Sequence, residues 1–337
     1  MDLFCKFRRL ALASFLLITT FQAPASENTE NLVVTATRMP TEQLDTVGNI
    51  TQLSAQQIGL NNAVHPYELA VQVPGTWIGR GNGQEHLTAI RSPVLTGPGS
   101  CGAFLIMEDN IPTRPTGFCN VNQMFEVPTV LAEHIEVIRG PANSLYGSNG
   151  LHGTVNTLLP APGLNPGTEL SIETGSNDYW RGAMKWDSGP GSNAWNAGFV
   201  YDRDGGYRDD SGYNQAKFYA KNRREINNGV LSFNLSGSWL NQDTAGFITG
   251  EDAYKQSDRF RNENPDAYRD ASSLRASVGW VPDAGEVWAP EYRVFLRYSD
   301  MDFLQHFLPG KPKEKNDQFS GGFGVITRRD ISDASTL

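Results

Sequence analysis

The second half of the chain alternates apolar and polar side chains with a period of two residues. Around residues 230–240, Leu231, Phe233 and Trp239 fall on one face, and Ser236 and Ser238 on the other. A period of two predicts β-strands with one apolar face. We predict about eight such strands, most of about ten residues, the length that a tilted strand needs to cross a bilayer. They lie near residues 169–175, 179–187, 194–202, 215–222, 230–240, 274–280, 292–298 and 318–328.

The connections between these strands alternate between short and long. Gly189–Ser192 and Glu225–Asn228 are tight turns, whereas the segments 203–214, 242–270 and 302–316 are long and polar. Short turns on one side and long loops on the other are typical of a membrane β-barrel. A soluble β-sandwich also alternates. Loops as long as 242–270 are unusual in a compact sandwich, so we favour the barrel.

Residues 40–160 lack this alternation and predict a small α+β domain. Ser54–Gln57 forms a capping-box pattern that predicts the start of a short helix. Pro66 occupies a position typical of the first turn of a second helix. Strands are predicted at Thr76–Ile78, His86–Arg91, Gly102–Glu108 and His134–Ile138, with a turn at Asp109–Asn110.

The N-terminus has the three-part pattern of an export signal. Basic residues at Lys6, Arg8 and Arg9 precede the apolar run Leu10–Ile18, and Ala23–Ala25 is an A-x-A cleavage site. We therefore predict a signal peptide over residues 1–25. A retained membrane anchor is the alternative, but the apolar run is shorter than a bilayer span and no stop-transfer pattern follows.

Charge and cysteine content narrow the possible partners. The formal net charge of -9 argues against a nucleic-acid partner. Cys5 leaves with the signal peptide, so Cys101 and Cys119 remain as an even pair in an oxidising compartment. We predict a disulfide between them, worth roughly 3 kcal/mol on the chain-entropy model. A metal site is the alternative, although no Cys or His lies at zinc-like spacing from either cysteine.

Motifs for enzymatic chemistry do not stand out. The chain has no G-x-x-x-x-G-K-[ST], H-E-x-x-H or G-x-S-x-G pattern. Its histidines are scattered at positions 65, 86, 134, 152 and 306. We therefore predict no catalytic residues, no resident metal and no cofactor.

An ordered set of short motifs resembles the TonB-dependent outer-membrane receptors. Leu32–Arg38 looks like their TonB box. Five further segments resemble successive signatures of their plug domain: Val73–Gly75, Ile90–Arg91, Phe104–Pro112, Ile135–Pro141 and Ser144–Ser148. Two positions depart from the family pattern: Asn110 and Ser92 stand where the family often has glycine. Asn tolerates positive φ, so the turn at Asn110 is preserved.

The resemblance implies a plug domain inside a barrel of roughly 22 strands. It divides the chain into a signal peptide (1–25), a TonB box and linker (26–39), an α+β plug (40–160) and a partial transmembrane β-barrel (161–337). A barrel of about eight strands is filled by its own side chains and could not enclose such a plug. We therefore expect the chain to be the N-terminal part of a longer outer-membrane protein of a Gram-negative cell, in contact with membrane lipid.

The same resemblance assigns roles near the N-terminus and in the plug. The TonB box, Leu32, Val33, Val34, Thr35, Ala36 and Thr37, would pair as a strand with the periplasmic domain of TonB. An ordinary first strand of the plug sheet is the alternative. Arg91 and Arg139 match plug arginines that pair with barrel glutamates and hold the plug in place. Ordinary solvated arginines are the alternative reading.

Ligand is expected on the apical loops near 79–85, 96–102 and 112–122. These loops carry Arg80, Gln84, Arg114, Phe118 and Asn122, which suit an anionic, aromatic chelate such as a ferric siderophore. Each could instead be an ordinary loop residue. Cobalamin, haem, a copper chelate or an oligosaccharide remain alternative substrates. A passive porin is the second class of function. The few residues between Ala25 and the TonB box also predict no additional N-terminal signalling domain.

Overall fold

The fold is described by a computed structural model. It describes residues 33–34, 41–42, 48–95, 103–115, 122–142, 146–255, 257–283, 290–327, 330–332 and 335–336. Several predictions fall outside these residues: the signal peptide, most of the predicted TonB box (Leu32, Thr35, Ala36 and Thr37), Phe118, and the pair Cys101 and Cys119. Within the described part of the chain, no helix is both long enough and apolar enough to cross a membrane.

The first half of the described chain contains short strands and two short helices. Their bounds are β1 Val33–Val34, β2 Thr41–Glu42, β3 Ile50–Ser54, α1 Ala55–Asn61, α2 Pro66–Ala70, β4 Thr76–Arg80, β5 His86–Ile90, β6 Phe104–Glu108, β7 Ile111–Pro112, β8 His134–Arg139 and β9 Gly153–Leu158. Two 3-10 turns, Gln123–Glu126 and Thr129–Leu131, precede β8. We call residues 50–159 the N-terminal domain.

Both predicted helices are present, and local sequence explains where they begin. The Ser54 side chain accepts a hydrogen bond from Gln57 N, and the Gln57 side chain accepts one from Ser54 N, which completes the capping box. α1 ends at Asn61 and is capped by Asn62, whose left-handed conformation is typical of the end of a helix. α2 begins at Pro66, with the His65 ring accepting from Tyr67 N.

The N-terminal domain is organised around a five-stranded sheet in the order β3-β8-β9-β6-β7. β6 and β9 are parallel, and the other neighbouring strands are antiparallel. α1, α2 and the β4–β5 hairpin pack into the same core, in which Ile58, Leu69 and Ile90 are buried. β6 turns into β7 at Asp109 and Asn110, both of which have positive φ, as the sequence predicted.

The second half forms one antiparallel sheet of eight strands in sequence order. The strands are β10 Gly167–Thr174, β11 Trp180–Asp187, β12 Asn193–Asp204, β13 Tyr213–Ile226, β14 Gly229–Asp243, β15 Tyr268–Pro282, β16 Glu291–Leu304 and β17 Lys313–Ile326. A short hairpin, β18 Asp330–Ser332 with β19 Ser335–Thr336, follows. Each of the eight predicted strands is confirmed. We call the eight-stranded sheet the wall.

The wall is apolar on the outside and polar on the face that meets the N-terminal domain. Trp239 and Val294 are 47% and 56% exposed, whereas Ser238 and Arg297 are both 8% exposed. A water-soluble sheet packs its apolar face inward and leaves its polar face to solvent. The wall has the opposite arrangement, which is that of a barrel whose outer surface faces lipid.

The two ends of the wall differ in their connections. Segments 188–192 and 227–228 are short turns, whereas 205–212, 244–267 and 305–312 are longer loops at the other end. The named turns and loops alternate as predicted, but 283–290 is as long as 205–212 and 305–312, and 175–179 is as short as 188–192. The long loops are shorter than predicted because strands β12 to β17 extend beyond the segments with clean alternation. We call the two ends the short-turn end and the long-loop end.

Candidate functional site: the interface between the N-terminal domain and the wall

A buried ion-pair cluster joins the two parts near the middle of the wall. Arg275 of β15 donates to Glu108 Oε2 at 2.9 Å and to the backbone oxygen of Glu126 at 2.9 Å. The Arg275 and Glu126 side chains approach to 3.6 Å. Ser236 and Ser299 of the wall donate to Glu108 and Glu126 respectively. One guanidinium from the wall thus bridges two carboxylates of the N-terminal domain.

Burial changes the acidity of one of these carboxylates. Desolvation raises the pKa of Glu126 above its usual range, and the charge of Arg275 opposes that shift. Because Glu126 is 2% exposed, its negative charge depends on Arg275 and Ser299 for compensation.

Towards the short-turn end, wall cations reach the β6–β7 turn. Lys221 lies 3.1 Å from Asp109 Oδ2 and donates to the backbone oxygen of Leu159 at 2.8 Å. Arg293 donates to the backbone oxygen of Asp109 at 2.9 Å. The positive-φ turn at Asp109 directs both its carboxylate and its carbonyl to the wall, so it acts as an attachment point.

Other wall cations bind backbone carbonyl groups. Arg297 donates to the backbone oxygens of Arg114, at 2.9 Å, and Pro112. Lys217 donates to Val127 O at 3.3 Å, and Arg181 donates to Ala63 O at 2.8 Å. Among the described residues, seven basic side chains of the wall therefore donate to the N-terminal domain: Arg181, Lys217, Lys221, Arg269, Arg275, Arg293 and Arg297.

At the long-loop end, the tip of the β4–β5 hairpin is held by β14 and β15. Gln242 accepts from Gln84 N at 2.6 Å and donates to Asn82 O at 3.2 Å. Arg269 donates to Glu85 Oε1 from two nitrogens, at 3.0 Å and 3.2 Å. Gly83 has φ of +54°, and a Cβ at this position would overlap the Gln242 side chain. The tip therefore requires glycine for both conformation and space.

Two buried histidines lie beneath this hairpin tip. Their rings are 5.9 Å apart in an edge-to-face arrangement, and each contacts a backbone oxygen of the tip, Glu85 O for His65 and Gln84 O for His86. Desolvation lowers the pKa of His65 to about 3 and that of His86 to about 4. Both rings are therefore neutral at neutral pH. The Nε2 atom of His86 has no partner among the described residues.

The predicted ligand-binding side chains fall into two groups. Gln84, Arg114 and Asn122 are 1%, 4% and 5% exposed, and each is hydrogen-bonded within the protein. Arg114 donates to Phe104 O, and burial lowers its pKa. Burial does not favour direct contact of these three side chains with a ligand, and their ligand role stays a prediction. Arg80 is largely exposed and pairs with Glu68 at 3.2 Å, so its ligand role stays a prediction.

The two predicted latch arginines lie side by side. Both approach the space beside Gly75, and the nearby charge of Arg91 adds to burial in lowering the pKa of Arg139. Arg139 donates to Pro74 O at 2.7 Å and to Asn49 O at 3.4 Å. None of the ion pairs formed by the described residues includes either arginine. Their pairing with barrel glutamates stays a prediction.

The wall cations were not predicted as the main attachment. The strands predicted at 274–280 and 292–298 contain Arg275, Arg293 and Arg297, but no local pattern connects these residues with the N-terminal domain. The positions of these arginines could have predicted the contacts, because charged residues on the inner face of a barrel that also holds a domain must contact that domain or water. Within the described part of the chain, no group of His, Cys, Asp or Glu side chains could hold a metal ion.

Comparison with known proteins agrees with this geometry. Residues 42–154 match the family model of the TonB-dependent Receptor Plug Domain. The N-terminal domain is a TonB-dependent receptor plug. From here we call it the plug, and its seat against the polar face of the wall is the plug–wall interface.

Solved structures support the same fold for the plug and wall together. FpvA of P. aeruginosa, bound to a heterologous pyoverdine, superposes with a TM-score of 0.70 at 14% identity. The ferric-catecholate import receptor Fiu of E. coli K12 gives 0.63 at 16% identity, and the siderophore receptor PiuA of Acinetobacter baumannii gives 0.67 at 14%. These matches cover 90%, 86% and 87% of this chain, but only 42%, 47% and 44% of the respective receptors.

Proposed function

We propose that this chain forms the plug and the first wall strands of an outer-membrane receptor that takes up a scarce ligand, with TonB as the source of mechanical work. The observation that carries the proposal is the plug held by seven wall cations against the polar face of a sheet whose other face is apolar. A sheet of this kind requires lipid outside, and a plug inside it requires a means of opening. The plug also disfavours a passive porin, which would leave its channel open.

The N-terminal segment supports a role for TonB. β1, within the predicted TonB box, is an extended strand that pairs antiparallel with β2 through Val33–Glu42 and Val34–Thr41. A short two-stranded pair is marginally stable in water. A partner that offers a longer edge can therefore replace β2 and add a strand to Leu32–Thr37. Pulling on this segment would deliver force to the plug.

A ferric siderophore is the proposed ligand. FpvA, Fiu and PiuA are described as pyoverdine, ferric-catecholate and siderophore receptors respectively. Their similarity to this chain is a similarity of fold. Cobalamin, haem, copper chelates and oligosaccharides are therefore the alternative ligands to test beside a ferric siderophore.

The experiment is the substitution Val34→Pro, with Val34→Thr as its control. Proline removes the N–H of residue 34, which a paired strand uses, whereas threonine keeps the N–H and the β-branched shape. We expect Val34→Pro to reduce uptake of a labelled ferric chelate to the level of a strain without TonB, while surface binding is unchanged. Val34→Thr should transport normally. Normal transport by Val34→Pro would show that this segment is not the TonB contact.

A further inference from the structure

The ion pair between Glu85 and Arg269 lies at the long-loop end of the plug–wall interface. Two nitrogens of Arg269, Nε and Nη2, donate to the same oxygen of Glu85, at 3.2 Å and 3.0 Å. The Arg269 side chain is 7% exposed, whereas that of Glu85 is 21% exposed. The carboxylate therefore covers the guanidinium on the side that opens to solvent.

Arg269 is held in a fixed orientation by apolar neighbours on the wall. Its guanidinium lies over the Phe303 ring, 4.3 Å from the centroid, and its Nη1 contacts Met301 Sδ at 3.2 Å. Phe303 and Met301 are themselves buried. Among the ion pairs of the described residues, Glu85 is the carboxylate that neutralises Arg269. The wall thus presents a rigid cation whose counter-charge comes from the plug.

Glu85 belongs to a hairpin that lies outside the main sheet of the plug. β4 and β5 pair only with each other in the described sheets and not with the five-stranded sheet of the plug. Their tip is attached to the wall through Asn82, Gln84 and Glu85. Loss of the Glu85 contact would leave the Arg269 donors unpaired in a poorly hydrated site, and an oxyanion from outside would satisfy them.

We propose that Arg269 is an anion-binding group at the mouth of the receptor, that Glu85 occupies it in the absence of ligand, and that the ligand is an anionic chelate whose carboxylate or catecholate oxygen replaces Glu85. The proposal rests on the uptake function proposed above and narrows its substrate class. A neutral ligand offers no charge to compete with a carboxylate at this guanidinium. Displacement of Glu85 would also weaken the attachment of the hairpin tip to the wall, so ligand binding at Arg269 would change the contacts of the plug.

Two substitutions test this because they break the same ion pair from opposite sides. Glu85→Gln removes the internal competitor and keeps the cation, whereas Arg269→Gln removes the cation. Arg269→Lys is a milder variant that keeps the charge but loses the planar pair of donors. Glu225→Gln is the matched control, since Glu225 forms an exposed ion pair with Arg223 on the wall.

Equilibrium binding to the receptor in outer-membrane preparations is the readout. The probes are ferric dicitrate and a ferric tris-catecholate, with a neutral ferric trihydroxamate for comparison. For an anionic probe, we expect Glu85→Gln to bind on the order of tenfold more tightly than the parent, and Arg269→Gln on the order of tenfold more weakly, the effect of one charge-assisted contact. Arg269→Lys should fall between the parent and Arg269→Gln, and Glu225→Gln should match the parent.

The possible outcomes separate this inference from the uptake function. If Glu85→Gln and Arg269→Gln change affinity in the same direction, the pair is only a structural clamp and the inference is overturned. It is also overturned if neither the parent nor Glu85→Gln binds an anionic probe, or if the neutral probe responds equally. If the affinities of Glu85→Gln and Arg269→Gln shift in opposite directions but uptake persists without a proton gradient, the anion site is supported and the TonB-driven function is refuted.

Discussion

Arg275 offers the most direct test of what holds the plug in place. Arg275→Met removes the only guanidinium that the described structure places between Glu108 and Glu126, and it preserves much of the side-chain volume. Both carboxylates are almost fully buried, at 8% and 2% side-chain exposure. Removing one partner of a buried ion pair costs about 3–5 kcal/mol, because a charge is left uncompensated.

That cost falls mainly on the seated plug, since a displaced plug can hydrate both carboxylates. At about 1.4 kcal/mol per factor of ten, the population of displaced plugs should rise by two to nearly four powers of ten. The assay is sensitivity of cells to an antibiotic too large for ordinary porins, together with protease cleavage of the plug. Arg223→Met, at an exposed ion pair of the wall, is the control and should change neither measurement.

A second variant distinguishes an uncompensated buried charge from misfolding of the wall. Arg275→Met combined with Glu108→Gln and Glu126→Gln removes the whole charge cluster, and replacement of complete buried ion pairs is often close to neutral. We expect this triple variant to be less permeable than Arg275→Met alone. The reasoning is refuted if Arg275→Met leaves both permeability and proteolysis at the parent level while the receptor remains correctly inserted.

Further predictions concern acidity and the hairpin tip. Because burial lowers the pKa of His86 to about 4, the unfolded state binds a proton first as pH falls below 6.5, so plug stability should decline between pH 6.5 and about 4, by roughly 3 kcal/mol from this group. His86→Gln should make that decline shallower but not abolish it, because burial also lowers the pKa of His65, to about 3. The raised pKa of Glu126 acts in the opposite direction and is common to both proteins. Gly83→Ala should displace the hairpin tip, because alanine at positive φ costs about 1–2 kcal/mol and its Cβ would overlap the Gln242 side chain. Faster protease cleavage within 81–85 would show this displacement. Gly59→Ala is the control, because no atom lies close to a Cβ at that position.

The wall could be predicted from sequence because its two faces differ in polarity. The outward side chain of Val294 and the inward side chain of Arg297 follow the strict alternation of a strand with one apolar and one polar face. The capping box at Ser54 and the turn at Asn110 were also predictable, because each depends on contacts within a few residues.

Strand β9 escaped prediction because it is buried on both faces. Residues 153–157 are all buried, so Thr154 and Asn156 interrupt any apolar run without marking an exposed face. β3 escaped as well, since it is a five-residue strand at the edge of the sheet.

The interface could not be predicted because its contacts join distant parts of the sequence. Gln84 resembles an exposed loop residue, yet its backbone meets Gln242, which is 158 positions away. Arg114 looks available to a ligand, but its side chain is buried against Phe104 O. Local patterns specify which residues share a face of a strand, but not which atoms of another domain they meet.

The way in which the wall cations reach the plug has an evolutionary consequence. Lys217, Arg293 and Arg297 contact the plug through its main-chain oxygens rather than through its side chains. Every amino acid carries such an oxygen, so mutations in the corresponding plug segments can accumulate without loss of these attachments, provided that the backbone path is kept. We therefore expect sequence change to be tolerated more readily in these plug segments than at the three basic residues that bind them.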